Sequence, residues 1–173
     1  MAAPDEIVLS RDRDLKGREK EVWVRRGLLG LVAVVPVLAL FNLFGQRPET
    51  SKASVPAATL SVYAPTRLRG GLLWEARFHI NAHRDVKKAI LVLGTGWAEG
   101  MSINTIEPSP TSEASDNGKL AFTLGHIPQN QSFILFMQFQ VNPTNVGHRS
   151  RTVELYDGTT KLATVNQKVT VFP

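Results

Sequence analysis

Two hydrophobic patterns divide the chain. From Gly27 to Gln46 the sequence GLLGLVAVVPVLALFNLFGQ is apolar almost throughout and carries no charge. After residue 57 apolar and polar residues alternate, the period of half-buried strands. At 1.5 Å rise per residue the first stretch reaches roughly 30 Å, the thickness of a bilayer's hydrocarbon layer. It predicts a single transmembrane helix over 27–46, bent at Pro36, where one helix hydrogen bond is missing.

The alternation predicts eight strands. Leu72–Ala82 puts Trp74, Ala76, Phe78 and Ile80 on one face; Ser132–Val141 does the same with Phe133, Leu135, Met137, Phe139 and Val141; Lys161–Phe172 aligns Ala163, Val165, Val169 and Val171. Shorter candidates are Thr59–Tyr63, Lys88–Leu93, Ser102–Glu107, Lys119–Leu124 and Thr152–Tyr156. Turn residues separate them: Asp116-Asn117-Gly118, Pro143-Thr144-Asn145 with Gly147, and Asp157-Gly158. Seven to eight strands in one small domain imply a β-sandwich, in which two sheets bury their apolar faces against each other. Residues 47–57, RPETSKASVPA, show no period and read as a linker. The expected organisation is therefore a cytoplasmic tail (1–26), a span (27–46), a linker (47–57) and an extracytoplasmic all-β domain (58–173).

Orientation follows from charge. Arg13, Lys16, Arg18, Lys20, Arg25 and Arg26 crowd the fifteen residues before the span, while Arg47 and Lys52 alone occupy the fifteen after it. Positive flanks stay on the cytoplasmic side, so the β domain is expected outside. A cleaved signal peptide would need small residues at its end, and Leu40, Phe41, Leu43 and Phe44 are bulky. In the tail, Asp12/Lys16, Asp14/Arg18 and Glu21/Arg25 have the spacing of a solvated helix, with Ser10 as its cap. Trp23, Arg25 and Arg26 are the expected membrane-interface anchors.

Overall charge adds little. Of the net +5, residues 1–26 hold seven Lys/Arg against six Asp/Glu and residues 58–173 hold eleven against eight, so no basic block suggests nucleic acid. The absence of cysteine removes disulfides, thiolate catalysis and Cys-ligated metal. Ile90–Gly100, ILVLGTGWAEG, resembles a nucleotide loop but has Glu99 at the third glycine position and no following helix; it reads as a strand and a turn. His79 and His83 lie about 13 Å apart along a strand, too far to share a metal. No nucleophile elbow or carboxylate pair stands out, so no catalytic, cofactor or metal residues are assigned.

The segment from Phe122, FTLGHIPQNQSFILFMQFQVNPTNVG, resembles the immunoglobulin-like modules of bacterial surface proteins, the cell-adhesion-related type. Leu124, Gly125 and Ile127 carry the match, over roughly Thr59–Pro173. Gln129-Asn130-Gln131 stands where that pattern usually has a glycine. The resemblance implies an immunoglobulin-like sandwich acting as a spacer or binding unit, without shared catalytic residues.

The function expected from these features is a non-enzymatic single-pass membrane protein. Its exported sandwich mediates protein interaction, as an accessory or structural subunit of a membrane or envelope assembly. A membrane-tethered carrier of a small ligand or metal is the alternative that the four exported histidines keep open. Partner contacts are expected at the loop ends of the sandwich, from Trp97, Arg149 and Arg151, since Trp and Arg often dominate interfaces. Trp97 has a second expected role, folding back as a plug over the core. The topology is testable directly: protease added to spheroplasts should digest the C-terminal domain and spare an N-terminal tag. The reverse pattern would show the charge asymmetry misread.

Overall fold

Pro36 does not stop the first element. In the computed structural model, which describes residues 19–41 and 45–173, α1 runs Glu19–Leu40 with Pro36 inside it. Its apolar stretch, Lys20–Leu40, has a mean hydropathy of 1.8 and leaves no face buried, the composition of a membrane anchor or a signal sequence. The expected tail helix before Glu19 lies outside the described residues, as do residues 42–44 of the expected span. Trp23 is well exposed, with the Arg26 guanidinium 5.4 Å from its ring centre.

Residues 45–173 form a separate unit built of two sheets. The strands are β1 (Pro48–Ser54), β2 (Ala58–Pro65), β3 (Arg67–Arg69), β4 (Leu73–Ala82), β5 (Val86–Leu93), β6 (Met101–Glu107), β7 (Ser112–Asp116), β8 (Lys119–Ile127), β9 (Ser132–Val141), β10 (Gly147–Asp157) and β11 (Thr160–Phe172). One sheet has the order β1-β2-β4-β9-β6, the other β3-β11-β10-β5-β8-β7. All pairs are antiparallel except β3 with β11. The all-β sandwich expected from the alternation is the fold, with the expected faces turned inward: Trp74, Ala76, Phe78 and Ile80 from β4 meet Val153 and Leu155 of β10 and Val165, Val169 and Val171 of β11 in one buried cluster.

Two corrections concern the strands. Among the described residues there are eleven rather than seven or eight, because β1, β3 and β7 carry no apolar alternation. The expected linker is not a linker: Pro48–Ser54 pairs along its whole length with β2, from Pro48↔Pro65 to Ser54↔Thr59. Gln167, buried on β11, donates from Nε2 to Ser51 Oγ (3.1 Å) and to the Val62 carbonyl (3.2 Å), tying both strands to the second sheet. The polar sequence PETSKAS suits an edge, where one side of the strand faces water.

The turns follow their residue chemistry. Asn117 and Gly118 both have positive φ, 50° and 75°, as a two-residue hairpin between β7 and β8 requires. Asn130, in the place where the resembled modules have glycine, takes φ 63°, a conformation that asparagine tolerates.

Strand β1 supplies a measurable consequence. A fragment beginning at residue 45 should melt cooperatively with a β-rich spectrum. One beginning at residue 58, where the linker reading would cut, bares the edge of β2 and loses the Gln167–Ser51 contact. It should melt about 5–10 °C lower and aggregate more readily. Equal melting temperatures for the two fragments would show that β1 adds nothing.

Candidate functional site

The three residues expected to meet a partner gather at one end of the sandwich, but mostly inside it. After β5, Gly94 leads into a single 3-10 turn, Thr95–Trp97, that drops the Trp97 ring between the sheets. Trp97 is fully buried and donates from Nε1 to the Thr152 carbonyl at 3.1 Å. Its ring lies 5.1 Å from Phe78, 5.7 Å from Phe139 and 6.0 Å from Trp74; Trp74 stacks on Phe139 at 4.5 Å. The backbone passes so close to β10 that a Cβ on Gly96 would lie 2.1 Å from the Ser150 oxygen, so only glycine fits. Of its two expected roles, Trp97 has that of the plug.

Arg151 is also a correction. It was expected on the surface, yet it is 1% exposed, its guanidinium 4.3 Å from the Trp74 ring centre and 4.9 Å from that of Trp97. Strand phase explains this: on β10, Arg151, Val153 and Leu155 share the inward face. Its Nη1 donates to the Pro65 carbonyl at 3.3 Å and its Nη2 to Met101 Sδ at 3.5 Å, while Nε makes no hydrogen bond. Arg149, two residues earlier, is held at the rim: Nη1 lies 2.7 Å from Glu99 Oε1, and Nη2 donates to Asn145 Oδ1. Asn145 in turn donates to the Gly100 carbonyl at 2.9 Å, closing the β5–β6 loop onto the β9–β10 loop. This end is therefore a structural clasp.

The exposed aromatic side chains of the sandwich lie on the outer face of the five-stranded sheet. A single lateral row runs Tyr63 (β2), Arg77 (β4), Phe136 (β9) and Glu107 (β6), set by the pairings Tyr63↔Arg77, Arg77↔Phe136 and Glu107↔Phe136. The Arg77 guanidinium sits 5.5 Å from the Tyr63 ring centre and 5.6 Å from that of Phe136, and Nε donates to Glu75 Oε1 at 2.5 Å. That carboxylate raises the Arg77 pKa further, so the group is always charged. Ile134 adjoins the row; Tyr63, Ile134 and Phe136 are each more than a third exposed. Beside Ile134, its cross-strand partner His79 buries Nε2 without a hydrogen bond. The signal for this patch was present in SFILFMQFQV, whose first half is apolar in both phases of the alternation, so that Ile134 and Phe136 must point outward once Leu135 and Met137 point in.

The other histidines stand apart. His83 Nε2 lies 2.8 Å from Thr59 Oγ1, His126 Nε2 lies 2.7 Å from Asp85 Oδ1, and His148 Nδ1 lies 2.9 Å from Thr170 Oγ1. Among the described residues no three His, Asp or Glu side chains are placed to hold a metal ion.

No family model matches the chain, and no curated protein sequence matches it. Solved structures similar to it include the CARDB domain of a Pyrococcus furiosus protein (16% identity, covering 69% of this chain and 98% of that one, TM-score 0.39). A FixG-related protein from Vibrio parahaemolyticus is 13% identical over 68% of this chain and 98% of its own, with TM-score 0.40. CaCohA2 from Clostridium acetobutylicum is 16% identical over 65% and 89%, with TM-score 0.43. Likeness at this level assigns no function to the chain.

The buried arginine makes a quantitative prediction. Burial pulls its pKa well down, to about 9, so at neutral pH the guanidinium is still charged and the desolvation cost is present in full. The cost is relieved only as pH rises past 9, where the folded chain releases a proton that the unfolded chain still holds. The desolvation cost and the two cation–π contacts oppose each other, so Arg151→Met, which fills the same space without the charge, should be much the milder of the two truncations. Arg151→Ala, which leaves a void between the indoles, should cost about 2–4 kcal/mol. Thermal melts of the two variants check this; a methionine variant as unstable as the alanine one would show that the ring contacts outweigh burial.

Proposed function

We propose that this chain is a non-enzymatic, membrane-tethered interaction protein whose sandwich presents the Tyr63–Arg77–Phe136 face to a protein partner. The observation that carries the reading is that row: an arginine held between two exposed aromatic rings on a sheet that is well buried on its inner side. Aromatic side chains and arginine are the residues most enriched at interface cores, and exposed apolar clusters on soluble domains usually mark such surfaces. The guanidinium is pre-ordered by Glu75 and the two rings, so little side-chain entropy remains to be lost when a partner covers it.

In this reading α1 is an uncleaved anchor, the N-terminus is cytoplasmic, and the sandwich stands outside as an accessory or structural subunit of a membrane or envelope assembly. The apolar helix, its flanking charge and the β-sandwich support it. The sandwich is taken as an immunoglobulin-like module of the cell-surface type, the kind that the Leu124-Gly125 segment resembles.

A photo-crosslinking residue in place of Phe136, in the full-length membrane-extracted protein, should trap a defined partner, and one in place of Thr123 on the opposite sheet should not. The double substitution Arg77→Ala, Phe136→Ala should abolish that partner's copurification. Because both side chains are exposed, it should move stability by no more than about 0.5 kcal/mol each. Equal trapping from both faces, or a partner that survives the double substitution, would refute the assignment.

A further inference from the structure

In the sequence, β1 begins at Pro48, soon after α1 ends at Leu40. Residues 41–47 alone connect Leu40 to Pro48, and a stretch of that length reaches at most about 25 Å. The end of the sandwich where the chain joins is fixed by hydrogen bonds: the Arg47 carbonyl accepts from Thr66 N (2.9 Å) and Thr66 Oγ1 (3.2 Å), and Gln46 Nε2 donates to the Leu73 carbonyl (2.9 Å). The β9–β10 loop lies at the same end, since Gly71 N donates to the Val141 carbonyl (3.0 Å) and Gly70 packs against Pro143.

Three large aliphatic side chains are exposed there, Leu72 at 40%, Leu73 at 50% and Val146 at 50%. Arg47 and Arg69 are exposed beside them, and Arg67 shares a cleft with Glu49. The carboxylate of Glu99 at this end is paired with Arg149. Aliphatic tips bordered by arginines at the end of a short tether match the chemistry of an anionic bilayer surface.

We infer that this end of the sandwich docks on the membrane, Leu72, Leu73 and Val146 seated at the headgroup boundary and Arg47 and Arg69 against lipid phosphates. The inference rests on α1 being a membrane anchor. It fixes the orientation of the domain: the strands stand away from the bilayer, and the Tyr63–Arg77–Phe136 row is presented sideways.

The chain has no cysteine, so single cysteines label uniquely. Full-length protein in lipid nanodiscs, with and without phosphatidylglycerol, would carry an environment-sensitive fluorophore at Val146→Cys, at Gln129→Cys in the β8–β9 turn of the opposite end, or at Val32→Cys within α1. Shallow spin-labelled lipid should quench position 146 and not 129, and more strongly with the anionic lipid. Each arginine contributes about fivefold to partitioning on an anionic surface, so Arg47→Gln with Arg69→Gln should remove most of the quenching at 146 while position 32 stays quenched by deep spin labels. Quenching at 32 with 146 no different from 129 would overturn the docking surface and leave the anchor standing. Quenching at 146 indifferent to anionic lipid would overturn the role of the arginines. A label at 32 out of reach of lipid would overturn both readings together.

Discussion

Trp97 filling the space between two sheets is the contact on which the domain is organised. A sandwich without disulfides must close its ends with packing, and here one indole does so. It touches Trp74 and Phe78 of β4 and Phe139 of β9 in one sheet, and hydrogen-bonds β10 in the other. The neighbouring positions follow from its placement. Gly96 is glycine because the turn that delivers the ring presses its backbone on Ser150. Arg151 lies inward because the two indoles offer its cation a flat negative face where no carboxylate is available. Asn145 and Arg149 then latch the loops over the plug.

That dependence explains what the sequence made legible and what it hid. All eight strands expected from alternation are present, since each has at least one face in the core and the core imposes the period. The three that escaped notice, PETSKAS, RLR and SEASD, are edge strands of their sheets. Their pairing comes from backbone hydrogen bonds to a neighbour, which leave no mark on side-chain pattern, and their polar residues answer to solvent. Taking 47–57 as a linker was the natural result. Arg151 was misplaced for a related reason: charge suggests surface, while strand phase places residue 151 with Val153 and Leu155. Phase was the better guide, because a one-residue slip would have turned those two valine and leucine side chains out to water.

The candidate interface was legible in principle and passed over in practice. In β9 the inward set carries the alternation, and Gln138 and Gln140 make the outward phase look polar. Phe136 and Ile134 occupy the same outward phase two and four residues before Gln138. Their partner residues came from other strands, Tyr63 from β2 and Arg77 from β4, and only the register brings the three into one row. A site assembled laterally across four strands has no sequence spacing of its own. It becomes visible only when pairing is known.

Strand β4 shows how the core and the proposed recognition face are kept separate in this fold. Its even-numbered residues, Trp74, Ala76, Phe78 and Ile80, are buried, while Glu75 and Arg77 face water. The period of two sends alternate side chains to different environments, so the outer row can change without touching the aromatic cluster beneath it. The edge strand that the sequence concealed serves the same division. Strand β1 completes the five-stranded sheet by backbone pairing with β2, and Ser51 accepts a hydrogen bond from Gln167 of the second sheet, so a mostly polar strand is held at the edge by hydrogen bonds where the inner strands are held by packing.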